Sequence, residues 1–396
     1  MPRFQPFPGL RYDRSVPLDK VIAPPYDVVG PEERAVLAAR HRANAIHVEL
    51  PVQDNRSGLD KYHAAAQIFA TWREEGVLVL EGSPVFYAYR MTDPDGGTTT
   101  GVIGALGCEG PGGDILPHEQ TTPKDKSDRL ELLRQCRANL SPIWGLSLSR
   151  GLAAAYEPEG PPDAEAVDDD GVTHALWVLE EPTVVEEVRR AVEGAPVVIA
   201  DGHHRYETAL TYQAERRTAT SGAPGDYDLV MAFVVELSEG NLSVGPIHRT
   251  IAGVPPDVDV PQLFGRWFDT VHAGPADSHL VEAVAGSGAL ALVTGRGVWL
   301  LTPREQTYAE AGSDLDSSLV ALVTEAIPDA EVSYVHDSRA AVAAVLAGDA
   351  DAAVLIRPVT VEQISEWAHA RRRMPPKSTF FYPKPRTGMV FRPVEG

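Results

Sequence analysis

Cysteine is nearly missing from this chain: 396 residues hold two, Cys108 and Cys136. A secreted chain of this length ordinarily carries more, so the count favours a reducing compartment over a disulfide framework. Neither cysteine stands in a paired metal-ligand spacing, which argues against a zinc site. Long apolar runs are missing too. No stretch approaches the roughly 18 residues of a membrane span. The start, Met1-Pro2-Arg3-Phe4-Gln5-Pro6-Phe7-Pro8, lacks the apolar stretch of a signal peptide. The expectation is a cytoplasmic chain with no membrane partner. Basic charge is short: 35 Lys and Arg stand against 56 Asp and Glu, a net charge of −21. Such a chain repels polyphosphate, so wide nucleic-acid binding is excluded, and no helix-turn-helix with a basic face is evident. Any anion must be drawn to a local basic pocket. Internal repeats and heptads are absent, and nothing in the sequence fixes the oligomeric state.

What is present is a globular composition. Hydrophobic residues make up 43 %, enough for sizeable cores, and the length suggests two or three domains. Prolines crowd the start, so Ala23-Pro24-Pro25-Tyr26-Asp27 reads as a rigid extended loop. A helix follows from Pro31, and Ala45 to Leu50 alternates weakly as a strand would. Tyr62, Ala66, Phe69 and Trp72 stand at helical spacing within Asp60 to Glu75. Strands are predicted over Val77 to Leu80, Val85 to Arg90 and Thr99 to Leu106, and a helix over Lys126 to Arg137. Residues 157 to 170 carry prolines and seven acids and read as an insertion or linker. Buried strands are predicted at Ala175 to Leu179, Val197 to Ala200 and Asp228 to Leu237, with a helix over Tyr206 to Arg217.

Beyond about residue 255 helices and strands alternate. The alternating segments, opening on a helix, are Gln262 to Phe268, Ala289 to Thr294, Val298 to Thr302, Ser317 to Ile327, Ser338 to Ala347 and Ala352 to Ile356. The pattern predicts α/β or α+β layers, mixed sheets with packed helices. The expected domains are 1–155, an acidic linker over 156–172, a phosphate-binding module over 173–255 and a C-terminal α/β domain over 256–396.

The strongest chemical signal is Asp201-Gly202-His203-His204-Arg205, placed between the apolar run Val197 to Ala200 and a helix. A strand, a glycine turn and a helix make an anion site: the glycine lets backbone approach, and first-turn amides point at the ligand. Arg205 adds a fork of donors, and His203 and His204 can donate or relay protons. Asp201 is a candidate metal ligand or catalytic carboxylate. The plainer alternative is an aspartate that caps the helix beside solvated histidines.

Three further segments carry candidate chemistry. His118 to Arg129 packs acid, base and cation together: Glu119 is a candidate general base, and Lys124, Lys126 and Arg129 would neutralise phosphoryl oxygens. A solvated polar helix end would look the same. Asp27 offers a carboxylate for magnesium or a substrate amine, or a simple helix cap. Arg371 to Arg392 holds seven basic residues and no acid, and Lys377, Ser378, Thr379, Tyr382 and Lys384 could close a phosphate or carboxylate pocket. Phe380 and Phe381 suggest that the segment packs. Pro246-Ile247-His248-Arg249-Thr250 repeats the His-Arg pairing and otherwise reads as a surface turn.

The Asp-Gly-His-His-Arg turn resembles the phosphate-binding turn of the ParB/sulfiredoxin-like superfamily, nearest its free-serine kinase branch, which also carries a segment like Pro375-Pro376-Lys377-Ser378-Thr379. The chain as a whole resembles the bacterial family of unknown function 1015, often labelled ParB-like. The landmarks are Pro6 to Tyr12, Ala23 to Val28, His118 to Thr121, Lys126 to Leu130, Asn139 to Ile143, Ala200 to Ala209 and Met374 to Gly388. The resemblance implies a ParB/sulfiredoxin-like module over 173–255 and a kinase-like phosphotransferase acting on a small hydroxylated metabolite, free L-serine first, with a nucleotide or pyrophosphate donor and Mg2+. Glu119, Asp201 and His204 would be catalytic; Gly202, His203, His204, Arg205, Lys126 and Arg129 would hold phosphate; Asp27, Lys377, Ser378 and Thr379 would hold the acceptor. The alternatives are a non-catalytic nucleotide-binding regulator of ParB type, and a phosphatase or hydrolase.

Overall fold

The computed structural model describes all residues except 54–57, 118–125, 159, 277–279, 281–282, 285 and 395–396. Two compact units result. One contains Met1–Ser243, Ala368–Arg372 and Pro383–Gly396, and the other Val244–Trp367 and Arg373–Tyr382.

The first unit has strands β1 (Phe4–Gln5), β2 (Leu10–Tyr12), β3 (Leu78–Leu80), β4 (Phe86–Thr92), β5 (Thr98–Gly107), β6 (Ile115–Pro117), β7 (Ala138–Asn139), β8 (Ile143–Ser147), β9 (Ala164–Val167), β10 (Thr173–Leu179), β11 (Val197–Asp201) and β12 (Leu229–Glu236). Nine of them form one mixed sheet in the order β6-β11-β8-β12-β5-β4-β10-β9, with β1 on β5. β11 runs parallel to β6 and antiparallel to β8, and β12 runs parallel to β8. The run Leu229 to Val235 is buried at every position, which is why it reads as continuously apolar. Val188 and Val192 of the helix Pro182–Glu193 pack with Val197, Ile199 and Tyr206 in one core. Asp60 caps the helix Lys61–Glu74 by accepting from the Tyr62 and His63 amides.

The architecture is the expected mixed α/β, with four local differences. Ile46–Glu49 is a helix, not a strand. Asn44 Oδ1 accepts the Ile46 amide at 2.9 Å and starts the turn, and Pro51 follows it. Ile46, Val48 and Glu49 are all buried, so the alternation was no guide to a solvent face. The acidic stretch contains β9, which forms a hairpin with β10. Asp168 Oδ1 accepts the Asp170 and Val172 amides at 2.9 Å and builds the turn, with Gly171 at φ +78. The helix expected from Tyr206 starts at His203. The helix expected over Gln262 to Phe268 is Val260–Phe264, and Phe268 begins a strand. The expected boundaries at 155, 172 and 255 also differ from the two units, because strands on both sides of 156–172 share one sheet.

The second unit has β13 (Val244–Gly245), β14 (His248–Ala252), β15 (Phe268–Gly274), β16 (Ala291–Thr294), β17 (Gly297–Pro303), β18 (Glu331–Val335), β19 (Ala352–Leu355) and β20 (Phe380–Phe381). An antiparallel sheet runs β15-β17-β16-β19-β14-β18. Leu319, Val320 and Val323 join one of its cores, and Ala341, Val342 and Val345 the other. Among the described residues no helix is long and apolar enough to cross a membrane.

The segment from Pro383 to Val394 is a strap of the first unit. Thr387 exchanges backbone bonds with Ala23, Phe391 does so with Leu10, and Arg392–Pro393 pairs with β7. Phe391 is fully buried, with ring centroids 5.4 Å from Phe69 and 5.9 Å from Tyr12. Burial pulls the Arg392 guanidinium down to about 10, and the group donates to the carbonyls of Leu229 and Asp226. Arg386 pairs with Asp168; His174 Nε2 lies 2.9 Å from the same carboxylate, and His174 Nδ1 lies 2.7 Å from the Tyr89 hydroxyl. Burial opposes the charge on Asp168, but His174 and Arg386 outweigh it and hold the carboxyl well below its usual range. Burial also lowers the His174 pKa, against the opposing pull of Asp168.

Two outcomes follow from the strap. Phe391→Ala should cost roughly 3–5 kcal/mol in urea unfolding, as for buried aromatic truncations; an unchanged midpoint contradicts the packing. Asp168→Asn should cost about 3–5 kcal/mol at neutral pH by breaking a buried ion pair. Because the folded carboxyl titrates below its unfolded value, its contribution is present above about pH 4 and is lost as pH falls through the folded pKa. Wild type should therefore lose stability on acidification more steeply than Asp168→Asn, and parallel pH profiles would contradict this.

Candidate functional site

β11 ends at Asp201, the chain turns at Gly202 with φ +84 and ψ 28, and the helix His203–Ala219 begins. Glycine suits this left-handed position because it has no Cβ. A Cβ there would also lie 3.0–3.1 Å from the Arg205 guanidinium, which folds beneath the turn. No side chain caps the helix. Its first-turn amides and the positive end of its dipole therefore face the turn.

Asp201 gathers the cations. Its Oδ2 accepts from Arg205 Nη2 at 3.0 Å, and its Oδ1 accepts from Lys384 Nζ of the strap at 2.8 Å. Burial disfavours the Asp201 carboxylate, but Lys384, Arg205 and His203 outweigh it and lower the pKa. Arg205 Nη1 also donates to the Pro142 carbonyl and, at 3.2 Å, to Ser141 Oγ. Ser141 Oγ in turn donates to Glu49 Oε1 at 3.0 Å. Burial works against the Arg205 charge, and Asp201, Asp27, Tyr26 and Glu49 together raise its pKa. The proline-rich loop thus brings Tyr26 and Asp27 into the same electrostatic neighbourhood. Burial pushes the Tyr26 phenol up to about 12. Asp27 is exposed. Beneath the turn lies a cavity of about 50 Å³ lined by Glu49, Arg129, Ser141, Arg205 and Thr208. Arg205 Nε and Thr208 Oγ1 are buried there without a hydrogen-bond partner among the described residues, and so is His204 Nε2 in the turn.

Several sequence expectations change under this geometry. Asp201 spends both oxygens on cations and has a lowered pKa, so it is an anchor and is ill suited to be a base or a metal ligand. Arg129 is buried. Its Nη1 donates to the Glu49 carbonyl at 2.7 Å, its Nη2 to Asp128 at 2.6 Å, and its guanidinium lies 4.1 Å over the Tyr26 ring. That guanidinium braces the loop and is not presented to a phosphate. Arg205 likewise braces the turn.

Ser378 and Thr379 are buried, and Ser378 Oγ lies 2.9 Å from Ser317 Oγ. They and Lys377, whose carbonyl accepts from Arg249 at 2.9 Å, belong to the second unit, whereas Asp201–Arg205 belongs to the first. Lys384 of the strap meets the turn through Asp201. His248 and Arg249 lie buried in β14 and are not a surface turn. Glu119 and Lys124 fall outside the described residues, and Lys126 opens the helix Lys126–Cys136. Among the described residues no group of three His, Cys, Asp or Glu could hold a metal ion. Asp201, spent on Lys384 and Arg205, leaves no free carboxylate in the turn itself for a magnesium ion.

Sequence reasoning missed Glu49 and Ser141, whereas Lys384, expected to help close a phosphate pocket, does reach Asp201. A usable signal was a lone carboxylate, Glu49, inside the apolar run Ala45 to Leu50. Removal of Arg205 would leave Asp201 short of one partner and strip the Pro142 carbonyl of its donor. Arg205→Ala should cost about 3–5 kcal/mol in thermal or chemical unfolding; a stability within experimental error of wild type would show that Arg205 is no brace.

Comparison with solved structures finds a conserved hypothetical protein from Pyrococcus furiosus, at 16 % identity, covering 68 % of this chain and 87 % of that one, with a TM-score of 0.34. A free serine kinase in complex with AMP matches at 15 % identity, covering 68 % and 83 %, with a TM-score of 0.35. A C-terminally truncated SbnI from Staphylococcus aureus matches at 11 % identity, covering 72 % and 84 %, with a TM-score of 0.36. No curated protein matches the chain. The family described as a protein of unknown function (DUF1015) matches residues 4–318, most of the sequence and all of the turn, and the chain belongs to that family.

Proposed function

We propose that the turn from Gly202 to Arg205 binds the phosphates of a nucleotide or of pyrophosphate, and that the protein is a phosphotransferase for a small hydroxylated metabolite, with free L-serine as the first candidate. One observation carries the reading: a strand, a left-handed glycine and a helix with no side-chain cap meet two cations, Lys384 and Arg205, held on Asp201. In a chain of net charge −21 this is a local reversal of sign. The buried His204 Nε2, without a partner among the described residues, strengthens it. Such an unsatisfied group costs about 1–3 kcal/mol, which a bound oxyanion would remove.

The roles follow from what each group still has to offer. Helix amides and His204 grip the donor phosphates, His203 and Lys384 neutralise them, and Arg205 keeps the turn rigid. Phosphoryl transfer asks mainly for such positioning and neutralisation. Asp27, exposed near Arg205, is the carboxylate proposed to hold the acceptor amine or take its hydroxyl proton; Glu119 remains a second candidate base. The choice of serine rests on the resemblance of Asp201 to Arg205 to the free-serine kinase turn. Magnesium would arrive on the donor phosphates, and no step here depends on it. Binding without chemistry, as in a nucleotide-dependent regulator, is favoured by one feature: the carboxylate in the turn is already committed to Lys384 and Arg205.

His204→Ala should retain the fold and weaken ATP and pyrophosphate about ten-fold or more in calorimetry, the loss of one charge-assisted contact. Equal affinities would remove the phosphate turn. Phosphorus NMR of the protein with ATP, ADP or pyrophosphate, serine and Mg2+ should show a new phosphomonoester signal. Binding without any new signal selects the regulator.

A further inference from the structure

We propose that the concavity among the helices Pro31–Arg40, Ile46–Glu49 and Lys61–Glu74 is a second binding site, for a small organic anion that joins a carboxylate, phosphate or sulfonate head to an apolar body. It lies in the first unit and has a volume of about 1060 Å³, ample for a drug-sized ligand. Among the described residues its wall holds Arg34, Arg42, Lys61 and His47 and no carboxylate, although acids outnumber basic residues 56 to 35 in the chain. Gln53, Gln67 and Thr71 add amide and hydroxyl groups, and Ala64, Ala65, Ile68 and Trp72 add apolar surface. A cationic wall beside an apolar one suits an amphipathic anion.

Arg34 carries the argument. Lys61 is neutralised by Asp128, and Arg42 meets Glu75 at 2.8 Å. Arg34 has no ion pair among the described residues; its Nε donates to the Leu50 carbonyl at 2.8 Å, which fixes the guanidinium at the cavity. The side chain is half-buried. Burial lowers its pKa, and its charge adds to the burial that lowers the His47 pKa. A desolvated cation without a counter-charge is costly, and a bound anion relieves that cost. The fork of guanidinium donors matches a carboxylate or phosphate head. A metal cation or neutral sugar would gain nothing from such a wall.

The test uses the full chain and anilinonaphthalene sulfonate, an anion with an aromatic body. Its fluorescence titration should show saturable one-site binding, displaced by benzoate or phenyl phosphate and not by inorganic phosphate alone. The more effective competitor identifies the head group. Gln67→Glu places a carboxylate in the wall at an exposed helix position, where folding is little disturbed. It should weaken the probe about ten-fold or more, and Arg34→Gln should do the same. His204→Ala should leave probe affinity unchanged, which separates this site from the phosphate turn. Non-saturable binding, or the wild-type affinity in Gln67→Glu, overturns the proposal. So does loss of probe binding in His204→Ala.

Discussion

Asp201 is the constraint on which the site depends. One carboxylate ends the strand β11 and accepts from two cations that arrive from different parts of the chain, Arg205 one helical turn ahead and Lys384 from the C-terminal strap. Without that carboxylate the two charges would repel each other beside a helix end that is already positive. With it, they stay together at low exposure. The turn is therefore an electrostatic assembly first. The helix amides add to its positive potential without adding charge.

The strap explains why the last residues belong with the turn. Pairing of Thr387 with Ala23 fixes the proline-rich loop, and Phe391 seals a core that also holds Phe69 and Trp72. Arg386 ties the same segment to Asp168 in the β9–β10 hairpin. Lys384 is thus delivered to Asp201 by packing and pairing on its C-terminal side. Loss of the strap would take Phe391 out of that core, and not merely open a pocket.

Local features were legible in the sequence. The turn declared itself through an apolar run, a glycine and a cluster of donors within nine residues, Val197 to Arg205. The helix Ser338–Ala347 follows its periodicity to the residue, and Asp60 announced the helix it caps. Partnerships between distant residues were legible only through charge: the basic C-terminal run was expected to close a phosphate pocket, but nothing in periodicity picks Lys384 for Asp201, 183 positions away. Cations also gave a false reading. Arg129 looked available for a phosphate because composition counts charge, but buried charges take internal partners, here Asp128 and the Glu49 carbonyl. The weak alternation over Ala45 to Leu50 failed for a related reason: both faces of that segment are covered, so no solvent side existed to impose a period of two.

The central claim is that a cation of the strap, held on Asp201, forms part of a phosphate site. Calorimetric titration of pyrophosphate into wild type and Lys384→Met tests it most directly, since methionine keeps the length of the side chain and removes the charge. The account predicts an affinity lower by about ten-fold or more in the variant, with a weaker dependence on salt and an unchanged circular dichroism spectrum. The same dissociation constant and the same salt dependence in both proteins would contradict it.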